Sequence, residues 1–368
     1  MNAGEKRTGI SIVIPNLNGE KVLRLALLSL INQTFPKDMY EIIIVDNAST
    51  DNSLKAIERI ARQYPNCSIK VIRLKKNIGY GKAINIGALN ARFDLILASN
   101  NDIIFHPKYL ENLFNVYHYA KKLDPRVVAA QGLHMYYPEV TCIYNAGGLV
   151  SILTGHYRFY GVCLTRDEFL KLMKRSSDGW KGFSYIAFPN GAGALIERDI
   201  FLRVGGYDSL YFSGIEEIDL GILLHLLGYR VILIPSAVMY HMESYTLGGR
   251  SVLTPRKLYL VLNGIFIYML SLYDVAQLLE GLIIYILTLM SILFLSTLRR
   301  MKILAWVAVK TVRINMKMKK HILNRRGRIM KIRKRNLSEV FNYFKAINKY
   351  IELPKLLTIT YSRFIRKT

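Results

Sequence analysis

Cysteine is scarce in this 368-residue chain: Cys67, Cys142 and Cys163 are the only three. None forms a C-x-x-C pair and no histidine cluster accompanies them. That argues against a disulfide framework or a zinc site and suits a reducing compartment. Acidic residues are also few, 26 against 51 Lys and Arg. The imbalance is local. The last 70 residues hold 21 Lys and Arg against two Glu, which leaves the first 298 with 30 basic and 24 acidic side chains. The basicity therefore belongs to a C-terminal segment. No recognised nucleic-acid motif accompanies it, so nucleic acid is not an expected partner. The N-terminus, MNAGEKRTG, is polar, and the apolar run Ile10–Pro15 is too short for a signal peptide, so the catalytic part is expected in the cytosol.

What is present is a regular alternation. Ile10–Pro15, Glu41–Asp46 and Phe93–Ser99 are apolar runs of strand length, and Ser68–Leu74 alternates as a further strand. Helical patterns fill Glu20–Asn32, Asp51–Tyr64 and Gly79–Ala91, and Pro36 and Pro65 end the first two. Strands apolar throughout, separated by helices, predict a mostly parallel sheet covered on both faces. Further on, a helix is expected at Pro107–Lys122, strands at Val127–Gln131 and Tyr229–Pro235, and a helix at Glu216–Leu227. Residues 136–184 fit either a loop-rich insertion or a small β-structure. Polar triplets follow three of the strands: Asn16-Leu17-Asn18, Asp46-Asn47-Ala48 and Asn100-Asn101-Asp102. In this architecture the carboxyl ends of strands converge on one crevice.

Seven segments in order give the pattern a likeness: SIVIPNLNGEKVLRLALLSLINQT, IIIVDNASTDNS, NIGYGKAINIGAL, LILASNND, NGAGALIERDIFLRVGGYDSLYF, EEIDL and IPSAVMYH. They span Ser11 to His241. The chain resembles glycosyltransferase family 2, the inverting transferases with the GT-A fold, and within it the rhamnosyltransferase-like branch. The resemblance implies an α/β GT-A domain over residues 1–250. It implies a nucleotide-sugar donor contacted by Asp46, with Pro15 and Asn18 beside it and Asn77 and Gly79 lining the nucleotide. An Asx-turn is the alternative account of Asp46. It implies Mg²⁺ or Mn²⁺ at Asp102, the last acid of a D-x-D triplet, with His241 as a further ligand and Asn101 as a weak neutral neighbour. It also implies a carboxylate base at Glu217, with Glu216 and Asp219 as alternatives.

The chemistry suits those residue types. A departing nucleoside diphosphate gathers negative charge, which a cation held by a carboxylate and the two phosphates stabilises. A base must reach the acceptor hydroxyl within about 2.6–3.2 Å. Two departures stand out. The triplet Asn100-Asn101-Asp102 has one acid where the motif has two, and Glu216-Glu217 replaces an E-D pair. A catalytically degenerate GT-A domain working as a membrane-bound scaffold is the competing expectation.

The C-terminal third holds two apolar stretches, Leu258–Tyr273 and Gly281–Leu298, of 16 and 18 residues. Membrane-anchoring helices are expected over 251–300 and a basic helical tail over 301–368. One span would carry the basic tail across the membrane, against the positive-inside tendency. Two helices in the interface, or a hairpin, keep everything on the cytoplasmic face, where the tail meets anionic headgroups. The expected acceptor is a lipid-linked or membrane-proximal glycan.

Overall fold

The computed structural model describes residues 7–138, 140–150, 157–176, 180–212, 214–242, 255–298 and 302–349. Strands β1 (Arg7–Asn16), β2 (Tyr40–Asp46), β3 (Ile69–Arg73) and β4 (Phe93–Ser99) alternate with helices α1 (Glu20–Ile31), α2 (Ser53–Gln63) and α3 (Tyr80–Leu89). Next come β5 (Ile103–Phe105), α4 (Tyr109–Leu123), β6 (Val127–Tyr136), β7 (Ile143–Asn145), β8 (Gly148–Val150), β9 (Tyr157–Phe159) and α5 (Arg166–Ser176). Then follow β10 (Ser184–Ile186), β11 (Gly193–Glu197), α6 (Arg198–Arg203), α7 (Glu216–Leu226) and β12 (Arg230–His241). The described chain ends in α8 (Pro255–Leu272), α9 (Val275–Leu298), α10 (Lys302–Ile332) and α11 (Leu337–Lys349).

The main sheet has 10 strands, with the path β10-β12-β6-β11-β4-β1-β2-β3, β5 beside β12 and β7 beside β6. β1 to β4 are parallel, as their apolar runs predict. β11 is antiparallel to both β4 and β6, so the other half of the sheet is mixed. Successive side chains on a strand point to opposite faces. Val13 therefore enters one core layer, with Ala83, Ile84 and Ala88 of α3, while Ile12 and Ile14 enter the other with Leu23, Leu27 and Leu30 of α1. Burial on both faces is why these strands show no polar alternation.

Two strands run further than their sequence suggests. β6 continues to Tyr136, and β12 continues past Pro235 to His241. The β12–β6 register breaks between Ile234 and Val238, and Pro235, which has no N–H to give a ladder, sits in that break. The described part of residues 136–184 holds the short strands β7, β8 and β9 and the helix α5, so both readings of that region are partly right.

The C-terminal helices depart from expectation more. α8 was expected in a membrane anchor with α9. Instead Leu262, Ile265, Ile267, Tyr268, Met269 and Leu272 are buried in a third core with α7, α10 and α11. Among the described residues only α9 is long and apolar enough to cross a membrane, with mean hydropathy 2.4 over its apolar window and 17% of that window buried. The tail is helical through α10 and α11, but it is folded onto the domain: Ile322, Arg325 and Ile329 of α10 and Phe341 and Phe344 of α11 are buried. Residues 350–368 of the expected tail lie outside the described residues, as do 243–254.

Candidate active site

The first three polar segments meet at the carboxyl edge of the sheet, where parallel pairing aligns Asn16 with Asp46. Asn16 is fully buried. Its amide nitrogen donates to Asp46 Oδ1 and to Ser49 Oγ, each at 3.1 Å, and its carbonyl oxygen accepts from Asn101 Nδ2 at 2.9 Å. The three strand ends are thus joined by one string of side-chain hydrogen bonds. Asp46 also accepts from the Ser49 backbone N–H at 3.0 Å and from Ser49 Oγ at 2.5 Å, which is the Asx-turn geometry. Asn101 serves this string. Gly19 is required beside it, because a Cβ there would stand 2.2 Å from Asn16 Oδ1 and 2.4 Å from Asn101 Nδ2.

Pro15 is half-buried at the end of β1, and Asn18 is exposed on the rim. Asn18 adopts φ +52°, accepts from the Thr50 N–H at 2.8 Å and so ties the first loop to the second. Asn77 accepts from the Gly79 N–H at 2.9 Å and shapes the entry to α3. Gly79, at φ +90°, has no room for a side chain: a Cβ would lie 2.4 Å from the Phe212 carbonyl oxygen.

Asp102 and His241 come together through sheet pairing, since β5 lies antiparallel to the end of β12 with Ile103 opposite His241. His241 Nε2 lies 3.3 Å from Asp102 Oδ1. Asp102 Oδ1 and His241 Nδ1 are both buried without a hydrogen-bond partner. Buried polar atoms are nearly always satisfied, so this pair fits a site completed by an ion. Among the described residues no group of three or more His, Cys, Asp or Glu could hold a metal. A carboxylate and an imidazole alone would need further oxygens from a ligand such as a diphosphate.

The acids at the start of α7 divide into two kinds. Glu216 is buried with Oε2 unpaired, and burial followed by the neighbouring Glu217 pushes its pKa up. Burial also raises Glu217, against the backbone N–H groups at the helix start. Both sit after Ile215, a β-branched residue at φ +77°. That conformation is strained by about 1–3 kcal/mol. It is held by packing against α8, where a Cβ on Gly264 would stand 3.0 Å from Ile215 Cβ. Asp219 is engaged differently. Arg325 of α10 grips it at 2.9 and 2.5 Å, and Tyr211 Oη donates to it at 3.0 Å. Arg325 Nε also reaches Asp208 at 2.6 Å. An acid held on both oxygens is poorly placed to take a proton.

Tyr80, at the first position of α3, was not anticipated from sequence, although it stands in the segment NIGYGKAINIGAL. Its hydroxyl donates to the Gly191 carbonyl at 2.6 Å. Burial raises its pKa well above the ordinary value, with further pushes from Tyr207, Glu216, Glu217 and Asp102. Tyr80 thus lies within electrostatic reach of both the α7 acids and Asp102. His134 was also missed. It is fully buried, and burial, with His241 adding to it, drives its pKa well below the usual value, so it stands neutral behind His241.

Comparison with known proteins bears on the family and the fold. Residues 11–142 match the model of glycosyl transferase family 2. A probable glycosyltransferase of Bacillus subtilis strain 168, YdaM, is 27% identical over 241 residues, covering 64% of this chain and 51% of its own. An N-acetylglucosaminyl-diphospho-decaprenol L-rhamnosyltransferase of Mycobacterium tuberculosis strain CDC 1551 / Oshkosh is 26% identical, covering 56% of this chain and 68% of its own. The chain thus spans about half the length of the Bacillus relative. The crystal structure of GalNAc-T7 with UDP, GalNAc and Mn²⁺ superposes with TM-score 0.56 at 21% identity, over 74% of this chain and 49% of that one. With the mixed α/β sheet and the seven ordered segments, these matches show that residues 11–142 are similar to glycosyltransferase family 2 and lie in a domain with the GT-A fold.

Proposed function

We propose that this protein transfers a sugar, with inversion, from a nucleotide-sugar donor to a hydroxyl of a lipid-linked or membrane-proximal glycan at the cytoplasmic face of a membrane. The observation that carries the reading is the Asp102–His241 pair, 3.3 Å apart with Asp102 Oδ1 and His241 Nδ1 buried and unsatisfied. Tyr80 lies within electrostatic reach of Asp102 and of the raised carboxyls of Glu216 and Glu217. The relative that acts on a diphospho-decaprenol-linked sugar and the neighbour holding UDP and Mn²⁺ support the substrate class.

Each residue has a role in this reading. Asp46, Asn18, Asn77 and Gly79 line the nucleotide, and the Asn16–Asn101 string fixes Asp46. Asp102 and His241 hold a divalent cation, Mg²⁺ or Mn²⁺, which when bound stabilises the charge of the leaving diphosphate. Glu217 takes the proton of the attacking hydroxyl, and a carboxyl kept above its ordinary pKa by burial is a stronger base for that step. Glu216, raised further, stays protonated at neutral pH, and its unpaired Oε2 offers a hydrogen bond to substrate. Asp219 positions α7 through Arg325.

The test is release of nucleoside diphosphate from a panel of sugar nucleotides with Mn²⁺, with and without membrane glycolipid. Turnover is expected with one nucleotide class and not with Asp102→Ala or Glu217→Gln. No release from any donor, alongside donor-induced thermal stabilisation, would favour a degenerate binding domain instead.

A further inference from the structure

The outer surface of the C-terminal helices carries most of the exposed large hydrophobic side chains among the described residues. On α9, Leu279, Ile283, Ile286, Leu287, Met290 and Phe294 are exposed along one face. Gly281, Tyr285 and Leu289 on the opposite face are buried. α10 runs back along α9 and changes character along its length. Its outer face is apolar at Trp306, Val309, Val312 and Met316 and basic beyond, at Lys317, Lys319, Lys320 and Arg328. Its inner face stays in the core from Val307 to Ile329. Between the two helices lies a groove of about 510 Å³, lined by Leu289, Leu293, Val309, Val312 and Met316, with Arg313 and Lys317 also at its wall.

The chain leaves and returns on the same side of this unit. Asp274, just before α9, pairs with Arg333 just after α10 and accepts from the Leu337 N–H at 2.8 Å. Arg326 donates to the Leu270 and Tyr273 carbonyls at 3.1 and 2.5 Å. Arg325 is locked to Asp219 inside the catalytic domain. A single crossing by α9 would put these partners on opposite sides of a membrane. A double crossing would draw Lys310, Arg313 and Lys317 of the return limb through hydrocarbon, which is costly for each cation. An amphipathic helix with apolar and basic sectors lies in the interface instead.

We propose that α9 and the first half of α10 lie together in the interfacial region of one leaflet of an anionic bilayer without crossing it. The inter-helix groove takes the hydrocarbon chain of a lipid, and its headgroup pairs with Arg313 and Lys317. Charge complementarity selects the occupant, since every charged residue on the exposed face of α10 between Lys310 and Arg328 is basic. The proposal does not depend on sugar transfer, and its readouts are independent of activity.

Trp306 makes the test direct, because the chain has only one other tryptophan, Trp180. Full-length protein is added to preformed vesicles of phosphatidylcholine, or of phosphatidylcholine with phosphatidylglycerol, bearing bromine on the acyl chains. Fluorescence is expected to be quenched on the anionic vesicles and to stay unquenched in Trp306→Phe. Arg313→Gln with Lys317→Gln should weaken partitioning roughly 25-fold, about five-fold per cation, with an unchanged circular dichroism spectrum. A cysteine at Leu298→Cys should resist a membrane-impermeant maleimide trapped inside the vesicles. Labelling from the interior would show that the helix pair crosses and overturn the one-leaflet topology. Absence of quenching, or equal binding to neutral and anionic vesicles, would overturn the docking surface itself.

Discussion

Replacing Arg325 with methionine should destabilise the protein far more than an ordinary surface arginine substitution would. Arg325 is 5% exposed and Asp219 2%. The guanidinium supplies two hydrogen bonds to Asp219 and one ion-pair contact to Asp208. Methionine retains the packing of the stem but leaves Asp219 with only the Tyr211 hydroxyl. Breaking a buried pair by removing one partner costs about 3–5 kcal/mol, because the remaining charge is stranded in a poor solvent. The penalty should depend on pH with a definite sign. Burial raises the pKa of Asp219 and Arg325 is the main influence pulling it back. Without Arg325 the folded state holds a proton that the unfolded state releases above about pH 3.9. Stability of the variant should therefore fall as pH rises from there, and its deficit should be smaller at acidic than at alkaline pH. Equilibrium denaturation by urea, followed by circular dichroism at two pH values, measures this. The double variant Arg325→Met with Asp219→Leu should recover most of the loss, since well-packed apolar replacements of buried pairs are often neutral. A single variant within about 1 kcal/mol of wild type, or a double variant no better than the single, would refute the reasoning.

Glu217→Gln should lower kcat/KM by about 10²–10⁴-fold with little change in donor affinity, as expected for loss of a general base. In the wild type the acid limb of the pH profile should lie near the pKa of Glu217, pushed up to about 6 by burial. Activity falls below that value because the base becomes protonated, and Glu217→Gln should lack the limb. Gly19→Ala should push Asn16 and Asn101 apart and destabilise the fold by about 1–3 kcal/mol, the usual cost of overpacking, as read by urea denaturation. Asp102→Ala should abolish the dependence of nucleotide affinity on Mn²⁺ while leaving the fold intact.

The parallel half of the sheet was readable because strands buried on both faces cannot alternate, so Ile10–Pro15, Glu41–Asp46 and Phe93–Ser99 announce themselves. Asp46, Asn18 and Asp102 drew attention for a related reason: Asp46 ends such a strand and the other two follow one within three residues. Pro235 misled because a proline ordinarily ends a strand, and here a register break absorbs it. Tyr80 was missed because its partners, Gly191, Glu216, Glu217 and Asp102, are distant in sequence. Arg325 gave no signal at all. It sits in a run of basic residues typical of a solvated tail, and its bond to Asp219 spans 106 positions. The buried role of α8 could be weighed but not chosen from sequence, because an apolar helix of that length looks alike in a core and in a membrane.

The most direct measurement is a crystal structure with Mn²⁺ and the nucleoside diphosphate that best stabilises the protein, with the ion located by anomalous scattering. The ion is expected on Asp102 and His241 beside the diphosphate, with the base or ribose against Asp46 and Glu217 across the crevice from the phosphates. An ordered nucleotide whose cation touches neither Asp102 nor His241, or which lies away from Asp46, would contradict the shared crevice.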